Sequence, residues 1–366
     1  MIQKIMDIIK GWVNMEFNEK QWEIIKTDKP KVIVNSCPAT GKTRTLVGRV
    51  QYLLSQGENS SDIVVITFTN AAAGEMRERL GKNTNVNIST IHAYANYLLL
   101  SSNIQTSSVI EVEDYEGLFA LVKQNPNCIK PVKYLLLDEG QDSNNAQFEF
   151  IFDLIKPKNW MIFADHRQSI YRWNGANPDY LINLAKQEDV TLYYLNQNYR
   201  NGEEISDFAK SIIRLAGPDY SDYSIVMTKE KGEVQEIEYN PVSIAKGFLK
   251  HTDYKDWFVL TRSNEQLEQL ARSFKIMNIP YVTFKRSELN NAELYQVLKE
   301  DKVKLLTIHS AKGLESKNVI VVGCKFYDLE EICISYVAAT RAKEKLIWTK
   351  VPNKVKRQKM ISNWEN

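Results

Sequence analysis

The chain alternates short apolar runs with longer segments whose apolar residues recur at helical spacing. In the first half, the short runs predict strands at Lys31–Asn35, Ile63–Phe68, Asn87–Ile91, Tyr134–Asp138 and Trp160–Ala164. The segments between and after them predict helices such as Arg44–Leu53, Ala71–Leu80 and Ala146–Ile155. Strands that alternate with helices favour a parallel sheet with helices on both faces.

The second half repeats this pattern, with strands predicted at Trp257–Thr261, Val303–Ile308, Val319–Val322 and Leu346–Thr349. A chain of 366 residues is too long for one ordinary hydrophobic core. We therefore predict an α/β protein with two domains in tandem, residues 1–195 and 196–366, with the boundary near Tyr193–Asn198.

Composition and net charge restrict the possible binding surfaces and the location of the protein in three respects. The net charge of +2 gives no global sign of nucleic-acid binding, so any such surface must be a local groove. Four scattered cysteines form no CxxC pair, which favours reduced thiols and a cytoplasmic location. No apolar run approaches the roughly 20 residues that span a bilayer, so we expect no membrane association.

Both ends of the chain have a distinct pattern. Apolar residues recur at helical spacing in the first 13 residues, which predicts an amphipathic helix that packs on the first domain. The segment Lys350–Lys359 is basic and has no acidic residue, which predicts a solvated tail or, as the alternative, an extension that follows phosphates.

Residues 35–46, NSCPATGKTRTL, follow the first predicted strand. A loop that ends in Gly-Lys-Thr before a helix typically binds phosphate through backbone N–H groups and the helix N-terminus. Lys42 would reach the β- and γ-phosphates, and the Thr43 hydroxyl would bind Mg²⁺. Ser36 stands where such a loop has its first glycine, but the following residues are small enough to permit close approach.

An acidic pair ends a later apolar strand, in YLLLDEGQD at residues 134–142. Asp138 can hold Mg²⁺ at such a strand end, and Glu139 can polarise the attacking water. A plain acidic turn is the alternative, but it does not explain a phosphate loop and an acidic strand end in this order. A nucleoside triphosphatase is the favoured interpretation, since a small-molecule kinase would leave the second half unexplained.

With these motifs, the chain resembles the UvrD/Rep/PcrA group of superfamily 1A DNA helicases, from Phe17 to about Trp348. The similar strings are TFTNAAAGEMRERL (67–80), TIHAYA (90–95), DEGQD (138–142), QSIYRWNGA (168–176), NYR (198–200), TIHSAKGLE (307–315) and YVAATRAKEKL (336–346). The resemblance implies two RecA-like P-loop NTPase domains in tandem, in a reduced form without the large accessory subdomains. Small inserts at about 98–132 and about 285–302 stand in the places where the family carries them.

The resemblance also implies that ATP and Mg²⁺ are bound and that both domains contribute to hydrolysis. Gln21 would contact the adenine edge, Tyr199 would stack on the adenine, and Glu315 would hold the ribose or a phosphate-side contact. The γ-phosphate is assigned to Gln168, from the first domain, and to Arg200 and Arg341. The implied contacts of the phosphate loop are Pro38, Ala39, Thr40, Gly41, Lys42, Thr43 and Arg44.

For DNA, the resemblance implies a single strand bound without sequence preference by hydrogen-bond donors and flat side chains. The residues assigned to it are Thr67, Phe68, Asn70, His92, Tyr171, Trp173, Arg262, Thr307 and His309. Taken singly, such aromatic residues more often lie in a core, and such histidines are more often structural. The matching strings favour DNA contact for most of them, whereas both interpretations stay open for Tyr171 and Arg262.

Two functions remain open on the sequence. The first is an ATP-dependent 3′-to-5′ single-stranded DNA translocase and helicase, a minimal two-domain motor that is monomeric when isolated and needs a protein partner for duplex engagement. The second is an ATP-gated DNA-binding switch in a repair, phage or defence complex, with little unwinding activity of its own.

Overall fold

The computed structural model describes residues 16–81, 84–112, 114–221, 225–229 and 231–350. Its strands are β1 Lys31–Ser36, β2 Ile63–Thr67, β3 Asn87–Thr90, β4 Tyr134–Leu137, β5 Asn159–Ala164, β6 Thr191–Leu195, β7 Gln197–Asn198, β8 Val226–Met227, β9 Glu233–Glu238, β10 Trp257–Thr261, β11 Tyr281–Val282, β12 Val303–Thr307, β13 Ser316–Val322 and β14 Ala342–Lys350. The predicted N-terminal helix and nearly all of the basic tail lie outside the described residues.

The α-helices of the structure cover most of the helical segments that the sequence predicts. They are α1 Glu19–Lys26, α2 Lys42–Ser55, α3 Asn70–Leu80, α4 Ile91–Leu100, α5 Ser107–Ile110, α6 Gly117–Gln124, α7 Asn145–Glu149, α8 Pro178–Leu184, α9 Glu203–Ile213, α10 Pro218–Ser221, α11 Pro241–Phe248, α12 Asn264–Ile276, α13 Asn291–Lys299 and α14 Leu329–Ala339. No helix in the described ranges is long and apolar enough to cross a membrane.

The chain forms two compact units. The first runs to His166 and resumes with Tyr171–Asn196. The second comprises Arg167–Ile170 and the chain from Gln197 onward. The four-residue segment therefore packs with the second unit, although it lies within the sequence of the first.

The first unit is built on a parallel sheet whose described strands are ordered β3-β2-β4-β5-β1-β6. Side chains alternate between its faces, as the two-residue period of a strand requires. Ile33 and Ile162 pack with α4, α6 and α7, whereas Val32 and Val34 pack with α1, α2 and α3. Each such buried side chain contributes roughly 1.5–3 kcal/mol. The predicted parallel sheet with helices on both faces is confirmed.

The second unit has its own parallel sheet, with the described strands in the order β11-β12-β10-β13-β14-β9. Val259 and Ile320 pack with α11 and α12. The alternate residues Val319 and Val321 are also buried, so β13 is covered on both faces. The two tandem α/β units follow the sequence expectation.

Some elements differ from the sequence pattern. The predicted helix Ala146–Ile155 is α-helical only over α7 and continues as a π-helix over Phe150–Ile155. The pattern does not predict β9, whose six residues EVQEIE are mostly charged or polar. This strand forms at the sheet edge, where Glu233 pairs with Lys345 of β14 at 2.8 Å. Cross-strand pairing therefore overrides the low strand propensity of its sequence.

The two predicted insert regions contain only short elements. Between α4 and β4 the described chain forms α5, α6 and a 3₁₀ turn over Pro126–Cys128. Between β11 and β12 it forms a 3₁₀ turn over Arg286–Glu288 and then α13. Leu118, Phe119 and Val122 of α6 are buried in the core of the first unit, so this segment is part of that core.

Candidate active site and nucleic-acid interface

The loop between β1 and α2 has the geometry of an anion site. Ala39 and Gly41 have φ values of 65° and 79°, the left-handed region that turns successive N–H groups toward one side. Gly41 is the N-cap of α2 and has no side chain that could cap this helix. Its first-turn N–H groups are therefore suited to a phosphate. Ser36 donates to the Ala164 carbonyl at 3.2 Å, which ties the loop to β5.

Gln21 lies against this loop and is 2% exposed. Its Nε2 donates to the Thr40 carbonyl at 3.1 Å, and its Oε1 accepts from the Asn18 N–H at 3.1 Å. The Thr40 hydroxyl donates to the Cys37 carbonyl at 2.9 Å, and Pro38 is buried in the same turn. Both ends of the Gln21 amide thus support the loop, and its contact with adenine stays a prediction.

Lys42 and Glu139 form an ion pair, with Nζ 2.9 Å from Oε1. Glu139 has a positive φ of 53°, which is uncommon for a non-glycine residue. Its Oε2 accepts a hydrogen bond from Nε2 of Gln141, and Oε1 of Gln141 accepts from the Asp165 N–H at 3.0 Å. Burial opposes the charged form of Lys42, but the charges of Glu139, Asp138 and Asp165 raise its pKa. The Glu139 carboxylate is therefore held between an ammonium and an amide.

Asp138 is the predicted metal ligand together with Thr43. It is 4% exposed, and its Oδ1 has no hydrogen-bond partner among the described residues. Burial and the charge of Glu139 raise the pKa of Asp138 to about 7, and Lys42 opposes this shift. A buried carboxylate oxygen without a protein donor suits a cation.

The donor set points to a particular kind of cation site. In the described residues, no group of three or more His, Cys, Asp and Glu side chains could hold a metal ion. Mg²⁺ commonly takes one or two protein ligands and completes its shell with water and substrate phosphates. One carboxylate near a phosphate loop therefore fits Mg²⁺ bound with a nucleotide.

Gln168 lies in the short segment that packs with the second unit. Nη2 of Arg341 donates to its Oε1 at 3.3 Å, and Nζ of Lys312 donates to its carbonyl at 2.9 Å. The resemblance implies a place for Gln168 in the first domain. In the structure it groups with the second unit instead, where both of these bonds are made.

Arg341 is 2% exposed, directly after the C-terminus of α14. Its Nε donates to the Val337 carbonyl at 2.9 Å, and its Nη1 donates to the Leu314 carbonyl at 3.3 Å. Its Nη2 also donates to Oγ1 of Thr340 at 3.1 Å. Because a guanidinium keeps its charge in proteins, these acceptors hold a permanent positive charge at a defined position.

Arg200 and Glu315 form a second ion pair in the same unit. Nη1 of Arg200 donates to the Thr340 carbonyl at 3.2 Å, and Nζ of Lys343 lies 2.6 Å from Oε1 of Glu315. Burial alone would raise the pKa of Glu315, but Arg200 and Lys343 outweigh it and lower the value. Through Thr340, the structure links four of the residues that the resemblance assigns to the nucleotide, namely Gln168, Arg200, Glu315 and Arg341.

Two asparagines to which the sequence analysis assigned no role support this network. Nδ2 of Asn201 donates to the carbonyls of Thr340 at 3.1 Å and Ala342 at 2.5 Å. Nδ2 of Asn198 donates to Oδ1 of Asn201 at 2.9 Å, and its Oδ1 accepts from the Arg200 N–H at 2.9 Å. Both flank the Tyr-Arg pair in the string NYRN, which is the signal that could have found them.

The remaining predicted nucleotide contacts lie near the surface. Nη2 of Arg44 donates to the Glu16 carbonyl, and the guanidinium lies 5.2 Å from the centre of the Phe17 ring. Tyr199 is 43% exposed, so its ring is accessible for stacking. Thr43 is the second residue of α2.

Aromatic side chains predicted to contact DNA lie on the first unit. Phe68 directly follows β2 and stacks on Tyr171, with ring centres 5.2 Å apart and planes 23° apart. Trp173 is 69% exposed. Thr67 ends β2 and Asn70 begins α3, so both flank Phe68. The structure therefore brings Phe68 and Tyr171 together, as a platform for bases requires.

His92 has aromatic neighbours from the first predicted insert. Its ring stacks on Phe119 at 5.2 Å and 19°, and Tyr115 lies 5.6 Å away at 43°. Burial lowers the pKa of His92, and Glu116 opposes this shift. The stack is a structural role for one face of the ring, and contact with DNA stays a prediction.

Arg262, Thr307 and His309 lie at the carboxyl ends of strands in the second unit. Nε and Nη2 of Arg262 donate to the Glu331 carboxylate, at 2.9 and 2.5 Å. The Thr307 hydroxyl donates to Oγ of Ser310 at 3.0 Å, and Nε2 of His309 donates to the Ile170 carbonyl at 3.1 Å. Each side chain therefore has a structural partner beside any role in DNA binding.

Family models match both halves of the chain. Residues 17–127 and 120–189 match the UvrD/REP helicase N-terminal domain. Residues 193–289 and 283–353 match the UvrD-like helicase C-terminal domain. The two matches follow one another in chain order and together leave little of the sequence outside them.

Similar curated proteins carry helicase names. A probable DNA helicase of Mycoplasma pneumoniae is 25% identical, over 91% of this chain and 83% of that protein. The ATP-dependent DNA helicase Rep of Buchnera aphidicola is 25% identical, over 78% of this chain and 60% of that protein. The ATP-dependent DNA helicase PcrA of Leuconostoc citreum is 25% identical, over 72% of this chain and 50% of that protein. The chain thus spans between half and three-fifths of the length of these Rep and PcrA relatives.

Proposed function

Because the chain belongs to the UvrD-like helicase family, whose domains are RecA-like, we propose that it is an ATP-driven motor on single-stranded DNA. It hydrolyses ATP and moves 3′ to 5′ along the strand. The observation that supports this function most directly is the Lys42–Glu139 ion pair, which lies beside the buried Asp138 and next to an uncapped helix N-terminus.

Hydrolysis needs a positive charge at the phosphates and a base for water. The triphosphate competes with Glu139 for the Lys42 ammonium, so nucleotide binding frees the carboxylate for water. Water attacks the γ-phosphorus, the bond to the β–γ bridging oxygen breaks, and Glu139 accepts the proton as ADP and phosphate form. Gln141 keeps the carboxylate in position throughout, since its amide is anchored on the Asp165 N–H.

Asp138 and Thr43 are the residues that would hold Mg²⁺. When bound, Mg²⁺ neutralises charge on the β- and γ-phosphates. The unpartnered Oδ1 of Asp138 supports this assignment. The four described cysteines are buried and none forms a disulfide in the described chain, which supports the proposal that the protein acts in a reducing cytoplasm.

The charged network of the second unit supports a role in sensing the γ-phosphate. Arg341 and Arg200 carry permanent positive charge and are fixed by backbone carbonyls. Charge-stabilising arginines accelerate phosphoryl transfer by roughly 10³–10⁵-fold. The stack of Phe68 on Tyr171 and the exposed Trp173 support sequence-independent contact with bases.

An ATP-gated DNA-binding switch is a second candidate function. The short elements in both insert regions favour it, because they offer no domain-sized surface for a duplex. In that case ATP would change DNA affinity and a protein partner would engage the duplex. Isolated protein would be monomeric under either proposal.

ATP turnover with and without single-stranded DNA tests the proposed function. DNA should stimulate the wild-type rate, and Lys42→Ala or Glu139→Gln should reduce it by about two orders of magnitude or more. Gln141→Ala should lower kcat by about tenfold or more at little changed KM, because it misplaces the base without removing a phosphate contact. Glu139→Gln should still bind ATP.

Two outcomes would count against the proposal. Hydrolysis by Glu139→Gln at the wild-type rate would show that Glu139 is not the catalytic base. Strong DNA-stimulated turnover without movement along the strand, measured by displacement of a bound protein from the 5′ end, would favour the switch.

A further inference from the structure

Glu331 is a buried carboxylate that the proposed mechanism does not use. It is 3% exposed and lies in the first turn of α14. Arg262 donates to it through Nε and Nη2, and the Tyr327 hydroxyl donates to its Oε1 at 3.2 Å. Burying a carboxylate is unfavourable unless it is paired. Its partners, however, are accessible, since Tyr327 is 59% exposed and Arg262 is partly exposed.

The chain segment that carries Tyr327 is anchored on both sides. Ahead of it, Gly323 has a φ of 80°, and a side chain at this position would overlap with Gln266 of α12. Oγ of Ser335 donates to the Lys325 carbonyl at 3.2 Å. After it, Asp328 caps α14. Tyr327 is thus an exposed ring on a fixed backbone, which lowers the entropy cost of binding a ligand.

This ring lies at the same edge of the sheet as the predicted DNA contacts of the second unit. Arg262 follows the carboxyl end of β10, and its N–H donates to the carbonyl of Val322 at the end of β13, at 3.0 Å. His309 follows β12. Burial lowers the pKa of His309, Arg262 lowers it further, and Glu331 opposes them.

We propose that Tyr327 and Arg262 form a subsite for one nucleotide of single-stranded DNA, with Glu331 as its positioning residue. The base stacks on the Tyr327 ring, which is a contact that every base can make. Nη1 of Arg262 makes no hydrogen bond to other residues of the described chain and donates to the adjoining phosphate. This inference rests on the proposed function and adds a base contact from the second unit.

Affinity for a labelled oligothymidylate, measured by fluorescence anisotropy on the full chain, tests the stacking step. Tyr327→Ala should bind about tenfold more weakly, the usual effect of removing one base platform. Its salt dependence should stay unchanged, since stacking releases no counterions. Tyr327→Phe keeps the ring and should bind within about twofold of wild type by the same reasoning.

Tyr295→Ala is a matched control. Tyr295 is 60% exposed and has Lys299 above its ring at 4.0 Å, much as Tyr327 is 59% exposed and has Lys325 at 5.8 Å. It lies on α13, which leads into the amino end of β12 and so away from the carboxyl edge. Its loss should leave DNA affinity at the wild-type value.

The phosphate contact and the positioning role have separate readouts. Arg262→Gln should reduce the slope of log affinity against log salt by about 0.7, the value for one phosphate of a single strand. Photocross-linking with 5-iododeoxyuridine should label Tyr327. Glu331→Ala should reduce this labelling several-fold, and Glu331→Gln should restore much of it, because the amide oxygen still accepts from the Tyr327 hydroxyl. Thermal unfolding of each variant identifies those that fail to fold.

The outcomes separate this inference from the proposed function. If Trp173→Ala weakens binding whereas Tyr327→Ala binds and cross-links at the wild-type level, the subsite is wrong and the motor proposal stands. Equal losses for Tyr327→Ala and Tyr295→Ala would also overturn the subsite. If wild-type protein does not bind single-stranded DNA at low salt, both proposals fall.

Discussion

Lys304 occupies a position on β12 that a hydrophobic residue would normally fill. Its side chain is fully buried, and its Nζ donates to the carbonyls of Glu300 at 2.7 Å and Lys255 at 3.4 Å. Burial lowers its pKa to about 8, although Asp301 and Glu300 oppose this shift. The protein therefore retains a charge in its interior at neutral pH, which opposes folding.

We expect the stability effect of Lys304→Met to depend on pH. The unfolded chain keeps this proton up to about pH 10.5, whereas the folded protein loses it above about 8. In this window the unfolded state binds more protons, so the lysine contribution to the free energy of unfolding rises with pH. Relative to the variant, wild type should gain up to roughly 3 kcal/mol between about pH 7 and about pH 10. Denaturant unfolding at both pH values measures this gain.

Lys302→Met is the control for this experiment. Lys302 is exposed and pairs with Glu300 at 2.7 Å, so its loss should change the free energy of unfolding by no more than about 0.5 kcal/mol. A difference between wild type and Lys304→Met that is the same at both pH values would contradict the expectation.

At the scale of elements, Gly202 allows α9 and β9 to begin where they do. It is the N-cap of α9, and a side chain there would overlap with the carbonyl of Lys231 and the backbone of Gly232. Its N–H donates to the Lys343 carbonyl of β14 at 3.1 Å. This close approach of three backbone segments explains why the NYRNG string ends in glycine.

A pair of glycine substitutions tests the importance of this contact. Gly202→Ala should lower the free energy of unfolding by about 2 kcal/mol or more, since backbone atoms must move to admit the methyl group. Gly247→Ala in α11 meets no atom within 4 Å and should raise it by about 0.5–1 kcal/mol through helix propensity. Thermal unfolding compares the two, and a shift in the same direction for both would argue against close packing at Gly202.

At the scale of the whole molecule, the insert regions bear on the duplex unwinding that the proposed motor could perform. Their described elements are short helices and turns. The acidic side chains near α5 and α6, Glu111, Asp114 and Glu116, are unsuited to binding duplex phosphates. The residues proposed to contact single-stranded DNA and ATP lie outside these segments, although Phe119 stacks on His92 and Tyr115 lies 5.6 Å from it.

We expect ATP turnover by the isolated protein to be stimulated by DNA, but unwinding to be weak on long duplexes. Strand displacement on duplexes of increasing length, at DNA concentrations that saturate ATP turnover, measures this. The yield should fall steeply with duplex length because the described insert regions form only short helices and turns and offer no domain-sized surface for a duplex. Efficient unwinding of long duplexes by the monomer would show that a partner protein is not needed.

The strands and helices near the site follow from sequence, because hydrophobic periodicity reports burial locally. Lys42, Asp138 and Glu139 can also be predicted from sequence. Lys42 belongs to a Gly-Lys-Thr loop that follows a strand, and the two acidic residues end a later apolar strand. The residues that support the site through hydrogen bonds, Gln141, Asn201 and Glu331, cannot be recognised from sequence. Their roles depend on atoms far apart in the chain, such as the Asp165 N–H for Gln141.

Tertiary structure also decided which unit holds Gln168. In sequence it follows β5 of the first unit, yet its side chain and carbonyl are bound by Arg341 and Lys312. A local pattern cannot encode a bond across 173 residues. The sequence establishes which chemical groups are present and in which order along the chain. Folding sets which of them meet, because hydrogen bonds and ion pairs depend on distances that sequence spacing does not specify.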